Sequence, residues 1–197
     1  MNQEEALLEE RETVLQLPTG TPVQMAKALF EIQMGVTDSH MRQVLQAALS
    51  RGGDYADLYF EYAYRTSVVM EEGIIKNSSI SISKGGGVRV LKGDQTGYAY
   101  SEDLSLQAMQ RAARTAASIA TSATVKEHEG YRFNRLKPSN HYLVMRTVTD
   151  LPLAEKIMKI QAAERASQDY DPRIKRVTVS IEDTVDTVSN THLTLPT

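Results

Sequence analysis

Apolar side chains recur at intervals of three and four through the first quarter of the chain and at every second position from Tyr55 onward, so helices precede a sheet. Glu4 to Leu17 reads as a first helix, with Ala6, Leu7, Val14 and Leu15 apolar and Pro18, Thr19 and Gly20 ending it. Thr21 as N-cap, Pro22 at the first helical position and Gln24 at the third predict a second helix from Pro22 to Met34, closed by Gly35. A third, capped by Asp38 or Ser39, sets Met41, Val44, Leu45, Ala48 and Leu49 on one face and stops at Gly52 and Gly53.

From Tyr55 the period is two. Ala56, Leu58, Phe60, Tyr62 and Tyr64 point one way, while Asp57, Tyr59, Glu61 and Ala63 point the other. Thr66 to Met70 and Gly73 to Lys76 flank a turn at Glu71 to Gly73, and Ser79 to Ser83 alternates before the run Gly85, Gly86, Gly87. Val88 to Leu91 is a strand, Gly93 to Gly97 a loop of turn formers, and Tyr98 to Tyr100 a returning strand. Short extended pieces with tight connections describe an antiparallel meander. The expected class is therefore α+β, a mainly antiparallel curved sheet with packing helices.

Ser101 or Asp103 begins a further helix on which Leu106, Met109, Ala113, Ala116, Ala117 and Ala120 form a stripe of mostly small residues, suited to close approach to the sheet. Ala123 to Asp150 reads as an irregular connection, Pro152 to Gln168 as a helix with Leu153, Ile157, Ile160 and Ala163 on one side, and Ile174 to Ile181 as a last strand that stops before a partner arrives. These breaks divide the chain into a helical extension (residues 1–37), an α+β domain (38–125), a linker with the start of a further domain (126–187) and a tail (188–197). The tail, VSNTHLTLPT, resembles the in-frame translation of a sequencing-library adapter and is set aside as non-native, a disordered native C-terminus being the alternative; in either case the unpartnered last strand implies that the chain is a fragment.

With 197 residues, 41% of them apolar, the chain can bury a sizeable core. Its net charge of −3 generates no field that would collect nucleic acid or an anionic membrane, so neither is an expected partner. The absence of cysteine excludes disulfides and thiolate metal sites in these residues. An acidic, polar N-terminus and the lack of any run of about 20 apolar residues point to a cytoplasmic protein.

The triple glycine leads into a strand rather than a helix N-terminus, so it lacks the converging N–H groups of a phosphate cradle and reads as a bulge or bend where a side chain would strike a neighbouring backbone. None of His40, His128, His141 and His192 has a second ligand at helical spacing, and His40, in the first turn of its helix, is expected to be exposed. Glu71 with Glu72, and Glu182 with Asp183, read as ordinary charged turn and strand residues. Alternation places several tyrosines on an open sheet face suited to an extended peptide, and Arg89, opposite in facing to Val88 and Val90, is placed to hold a carboxylate or a partner subunit. The candidate substrate- or partner-binding residues are Gly85, Gly86, Gly87, Arg89, Tyr98 and Tyr100; no catalytic and no metal-binding residue is assigned.

ADLYFEY (Ala56 to Tyr62), EEGIIKNSS (Glu71 to Ser79), GGGVRVLKGDQTGYAY (Gly85 to Tyr100) and DLS (Asp103 to Ser105) together resemble the N-terminal domain of the TldD/PmbA family, and Leu151 to Ser180 is similar to the helix and strand that follow in it. The likeness runs from about Met41 to Ile181, with Gly86 standing where the family often has valine. It implies the N-terminal domain of a TldD-like zinc peptidase. The parent's zinc motif would lie in a C-terminal domain beyond this chain, so that zinc belongs to the full-length parent and none is bound here. It also implies a PmbA/TldE-like partner subunit, or a homo-oligomer, and a peptide substrate. The alternative within the same resemblance is the metal-free PmbA/TldE-type subunit, acting as a peptide- or partner-binding module.

Overall fold

The computed structural model describes residues 22–121, 132–134, 148 and 151–194. The first expected helix, Glu4 to Leu17, and the Thr21 cap lie outside these residues, as does nearly all of the connection from Ala123 to Asp150. Helix α1 (Pro22–Lys27) continues as a π-helical segment, Ala28–Gln33, and Gly35 follows at φ +70°. Helix α2 spans Asp38–Leu49, β1 Tyr55–Glu71, β2 Ile74–Lys92, β3 Gln95–Ser101, α3 Leu106–Ala120, β4 Arg132–Asn134, α4 Leu153–Tyr170 and β5 Thr178–Thr194. The strand order is β3-β2-β1-β5-β4, and every pairing is antiparallel. The expected α+β architecture holds.

The meander of short pieces is instead one long hairpin, because β1 runs 17 residues and β2 runs 19 without a break. At about 3.3 Å per residue such strands exceed 50 Å. Only two residues turn the chain, Glu72 at φ +51° and Gly73 at φ +75°, and paired positive φ values give the twist that a tight hairpin needs. Between β2 and β3 the loop is likewise Gly93 and Asp94 alone, with Gln95 to Gly97 already in the strand. The last strand also corrects the expectation. It begins at Thr178 rather than Ile174, and its partner is β1, met along the whole length from Glu71 opposite Thr178 to Tyr55 opposite Thr194. Residues 188–194, set aside on sequence, are thus paired in the sheet.

Two helix starts differ from expectation. The α2 cap is Thr37, whose Oγ1 accepts from the His40 N–H at 3.2 Å, and the α3 cap is Ser105, whose Oγ accepts from Ala108 N–H at 3.4 Å. In both, the hydroxyl sits at the residue whose backbone is still extended, the geometry that aims it at the third helical N–H. His40 is buried, contrary to expectation, and its imidazole is hydrogen-bonded to the Gly35 backbone.

Even-numbered residues of β1 face the helices throughout, and two clusters form on that one side. Near the first half of β1, α2 and α3 pack on Leu58 and Phe60, and Phe30 closes on Phe60 with ring centroids 6.1 Å apart. The alanine stripe lets α3 lie against the sheet so closely that a Cβ on Gly97 would strike the Ala116 carbonyl. Near the second half, α4 covers Val68 and Met70 with Ile160. Its buried line is Lys156, Ile160 and Glu164, rotated from the expected Leu153, Ile157, Ile160 and Ala163. The sheet explains the rotation: Thr66, Asp183 and the Gly73 N–H lie beneath and require polar partners. Lys156 Nζ meets Asp183 Oδ2 at 2.6 Å and Thr66 Oγ1 at 3.1 Å, and Glu164 Oε1 accepts from Gly73 N–H at 2.5 Å.

Candidate functional site

Opposite the helices, the first half of the sheet presents an open face. Residues of odd number on β1 and β2 and of even number on β3 share it, so register alone assembles the surface: Tyr98, Arg89 and Asp57 lie in one row across the strands, and Tyr100, Gly87 and Tyr59 in the next. Five of the six sequence-predicted residues belong to this face or form its floor, namely Gly85, Gly87, Arg89, Tyr98 and Tyr100. Gly86 does not. It points to the core, where a Cβ would meet the Met109 side chain and the Phe60 ring.

The glycines serve the tyrosines. A Cβ on Gly87 would lie 2.5 Å from Tyr98 Oη, and one on Gly85 would overlap the Tyr100 ring. Each ring therefore leans diagonally from β3 and lies flat on bare β2 backbone, burying the glycines beneath it while its own outer surface remains about half exposed, 54% for Tyr98 and 50% for Tyr100. The expected bulge is absent here, the β1–β2 register running unbroken from Tyr55 to Val69. The irregularity lies at Val69 and Met70, where Lys76 is the extra residue.

Arg89 already has its carboxylate within the chain. Nε and Nη2 reach the two oxygens of Asp57 at 3.0 and 2.6 Å, a forked pair that fixes the guanidinium against β1 and raises its pKa. Asp57 was legible as the partner, because its outward parity on β1 and that of Arg89 on β2 match. Burial, and then neighbouring carboxylates, raise the phenol pKa values of Tyr59 and Tyr100, by Glu61 and Glu102 respectively. Tyr59 Oη donates to Glu61 at 3.3 Å. At neutral pH these groups are protonated donors around an aromatic floor.

The face offers stacking and hydrogen bonding but no paired nucleophile and base. Among the described residues no three of His, Cys, Asp and Glu converge as a metal-ligand set, so these residues do not fit a zinc ion. The two acid pairs are engaged elsewhere: Glu71 and Glu72 lie 3.4 and 3.5 Å from Arg176, and Asp183 is held by Lys156.

Comparison with known proteins agrees with the hairpin and the helix behind it. A family model described as PmbA/TldA metallopeptidase domain 1 matches residues 56–120, which is β1 through α3. The chain is 33% identical over 131 residues to the Metalloprotease TldD homolog of Haemophilus influenzae. It carries a TldD/PmbA-family N-terminal domain. A second TldD homolog, from Buchnera aphidicola subsp. Acyrthosiphon pisum, is 36% identical over 84 residues, 43% of this chain and 17% of the relative. The Haemophilus match covers 66% of this chain but 27% of the relative, so the chain spans about a quarter of that protein's length. Two crystal structures share the TldD/PmbA fold. A proposed modulator of DNA gyrase from Bacteroides thetaiotaomicron has TM-score 0.62 at 15% identity, over 80% of this chain and 37% of that one. Another from Thermotoga maritima has TM-score 0.57 at 19% identity, over 78% and 35%.

Proposed function

We propose that this chain is the N-terminal scaffold of a TldD-like metallopeptidase acting in proteolysis or peptide maturation in the cytoplasm. The observation that carries this reading is the 33% identity over 131 residues to a relative named as a metalloprotease, three-quarters of which lies outside the matched region. The zinc-binding catalytic residues belong to that remainder. Residues 38–125 form the family domain, 1–37 an added helical extension and 126–187 the approach to the next domain. In this role the tyrosine-lined face meets a peptide substrate or a PmbA/TldE-like subunit, and the Arg89–Asp57 fork fixes the guanidinium on that face. No described helix is long and apolar enough to cross a membrane, which is compatible with this setting.

The test is metal analysis with a casein or peptide cleavage assay on the 197-residue chain beside its full-length parent. Zinc and turnover are expected in the parent only. Stoichiometric zinc with turnover by this chain overturns the reading, and a parent sequence without an HExxxH segment replaces it with the metal-free subunit.

A further inference from the structure

The first half of β2 has a free side. Strand β3 pairs only with Gly86–Lys92, so from Asn77 to Lys84 the strand is bonded to β1 on one flank, and no described strand occupies the other. Natural edges of this length are normally shielded, since a row of unused N–H and C=O groups templates the pairing of another chain. This one is uncharged over seven residues, Asn77 to Ser83, and free of proline. Its flank is apolar on the helix side: Ile82 is 43% exposed, and Ile75, beyond the bulge, is also 43% exposed, because α4 covers β1 and β5 but not β2. Lysines stand at both ends, Lys76 at the bulge and Lys84 before the glycines, both exposed and neither ion-paired to another described residue.

We propose that Asn77–Lys84 is a docking edge that adds one extended segment of another polypeptide, about eight residues long, with apolar side chains at alternate positions and a carboxylate near each end. Backbone pairing supplies the affinity, Ile80 and Ile82 receive the apolar side chains, and Lys76 and Lys84 select the acidic ends. The same lysines disfavour a second copy, since two such edges side by side gather four ammonium groups on paired segments that themselves carry no carboxylate. This edge adjoins the tyrosine face at Gly85, but the inference does not rest on that face's role.

The probe is an octapeptide of alternating valine and threonine with glutamate at both ends, titrated into the full chain by fluorescence anisotropy with amide exchange as the map. Binding is expected to protect amides within Asn77–Lys84. It should weaken about tenfold in the double variant Lys76→Glu with Lys84→Glu, and recover when the peptide ends are lysine, as two exposed charge pairs would allow. Backbone N-methylation of the peptide should abolish it. Equal binding of the N-methylated peptide, protection at Gln95–Ser101 instead, absence of binding, or protection that tracks self-association in sedimentation velocity overturns the proposal.

Discussion

The two halves of the long hairpin are covered by helices on the same side, yet they are held by different physics. Around Phe60, α2 and α3 make a dry contact in which alanines and Gly97 bring helix backbone onto strand backbone. Around Met70, α4 sets Ile160 on only two buried apolar residues, Val68 and Met70, and is fixed by a lysine, two carboxylates and a hydroxyl. Shape specifies the first interface, and it tolerates no added atom. Charge placement specifies the second, where a missing partner is the danger.

The largest expected effect is therefore loss of one charge. Lys156→Ala strands Asp183 in a poorly solvated site and should cost about 3 kcal/mol, as removal of one partner of a buried pair does. Amide exchange should locate that loss in Leu153–Tyr170 and leave α3 protected. Replacing both groups, Lys156→Met with Asp183→Val, should restore most of it. A double variant no better than the single would show that apolar packing, not charge, positions α4.

Gly97→Ala should act in the opposite place, at about 2 kcal/mol, by forcing α3 away from the sheet. Alanine at Gly93, where nothing lies within 4 Å and only φ +52° opposes it, is the control and should cost about half as much. Urea midpoints for the two variants compare them directly. Equal losses would mean that the close approach at Gly97 relaxes freely.

The smallest effect is on pH. Burial lowers the His40 pKa below its ordinary 6.5, against a weaker raising influence from the Gly35 backbone. The unfolded chain then takes up a proton that the folded chain resists, so this contribution is complete above about pH 6.5 and is lost as the pH falls below it. Urea unfolding at about pH 8 and about pH 5.5 should show the decline, and His40→Gln should flatten it. An unchanged slope in that variant removes His40 from the account.

This contrast also explains what could be read from sequence. Alternation in Ala56 to Tyr64 and the stripe from Leu106 to Ala120 assigned the first half of the sheet and its helix correctly, because there apolar pattern and packing coincide. The α4 face was misassigned because periodicity follows Ile157 and Ala163, whereas the partners that rotate it, Thr66 and Asp183, come from distant strands. Polar residues between extended pieces, such as Asn77 and Ser78, read as a break; in a sheet with one open face they are simply strand. On the candidate face, parity grouped Arg89, Tyr98 and Tyr100, but only register reveals that Gly85 and Gly87 are their resting place and that Gly86 belongs to the other side.

Strand β1 threads both halves in one uninterrupted alternation against β5. Losing a single residue between Tyr62 and Thr66 would invert everything downstream of the cut, turning Val68 and Met70 to water and Val69 toward α4, whereas losing two would merely shorten the hairpin. Viable length variants of this domain should differ at that point by even numbers.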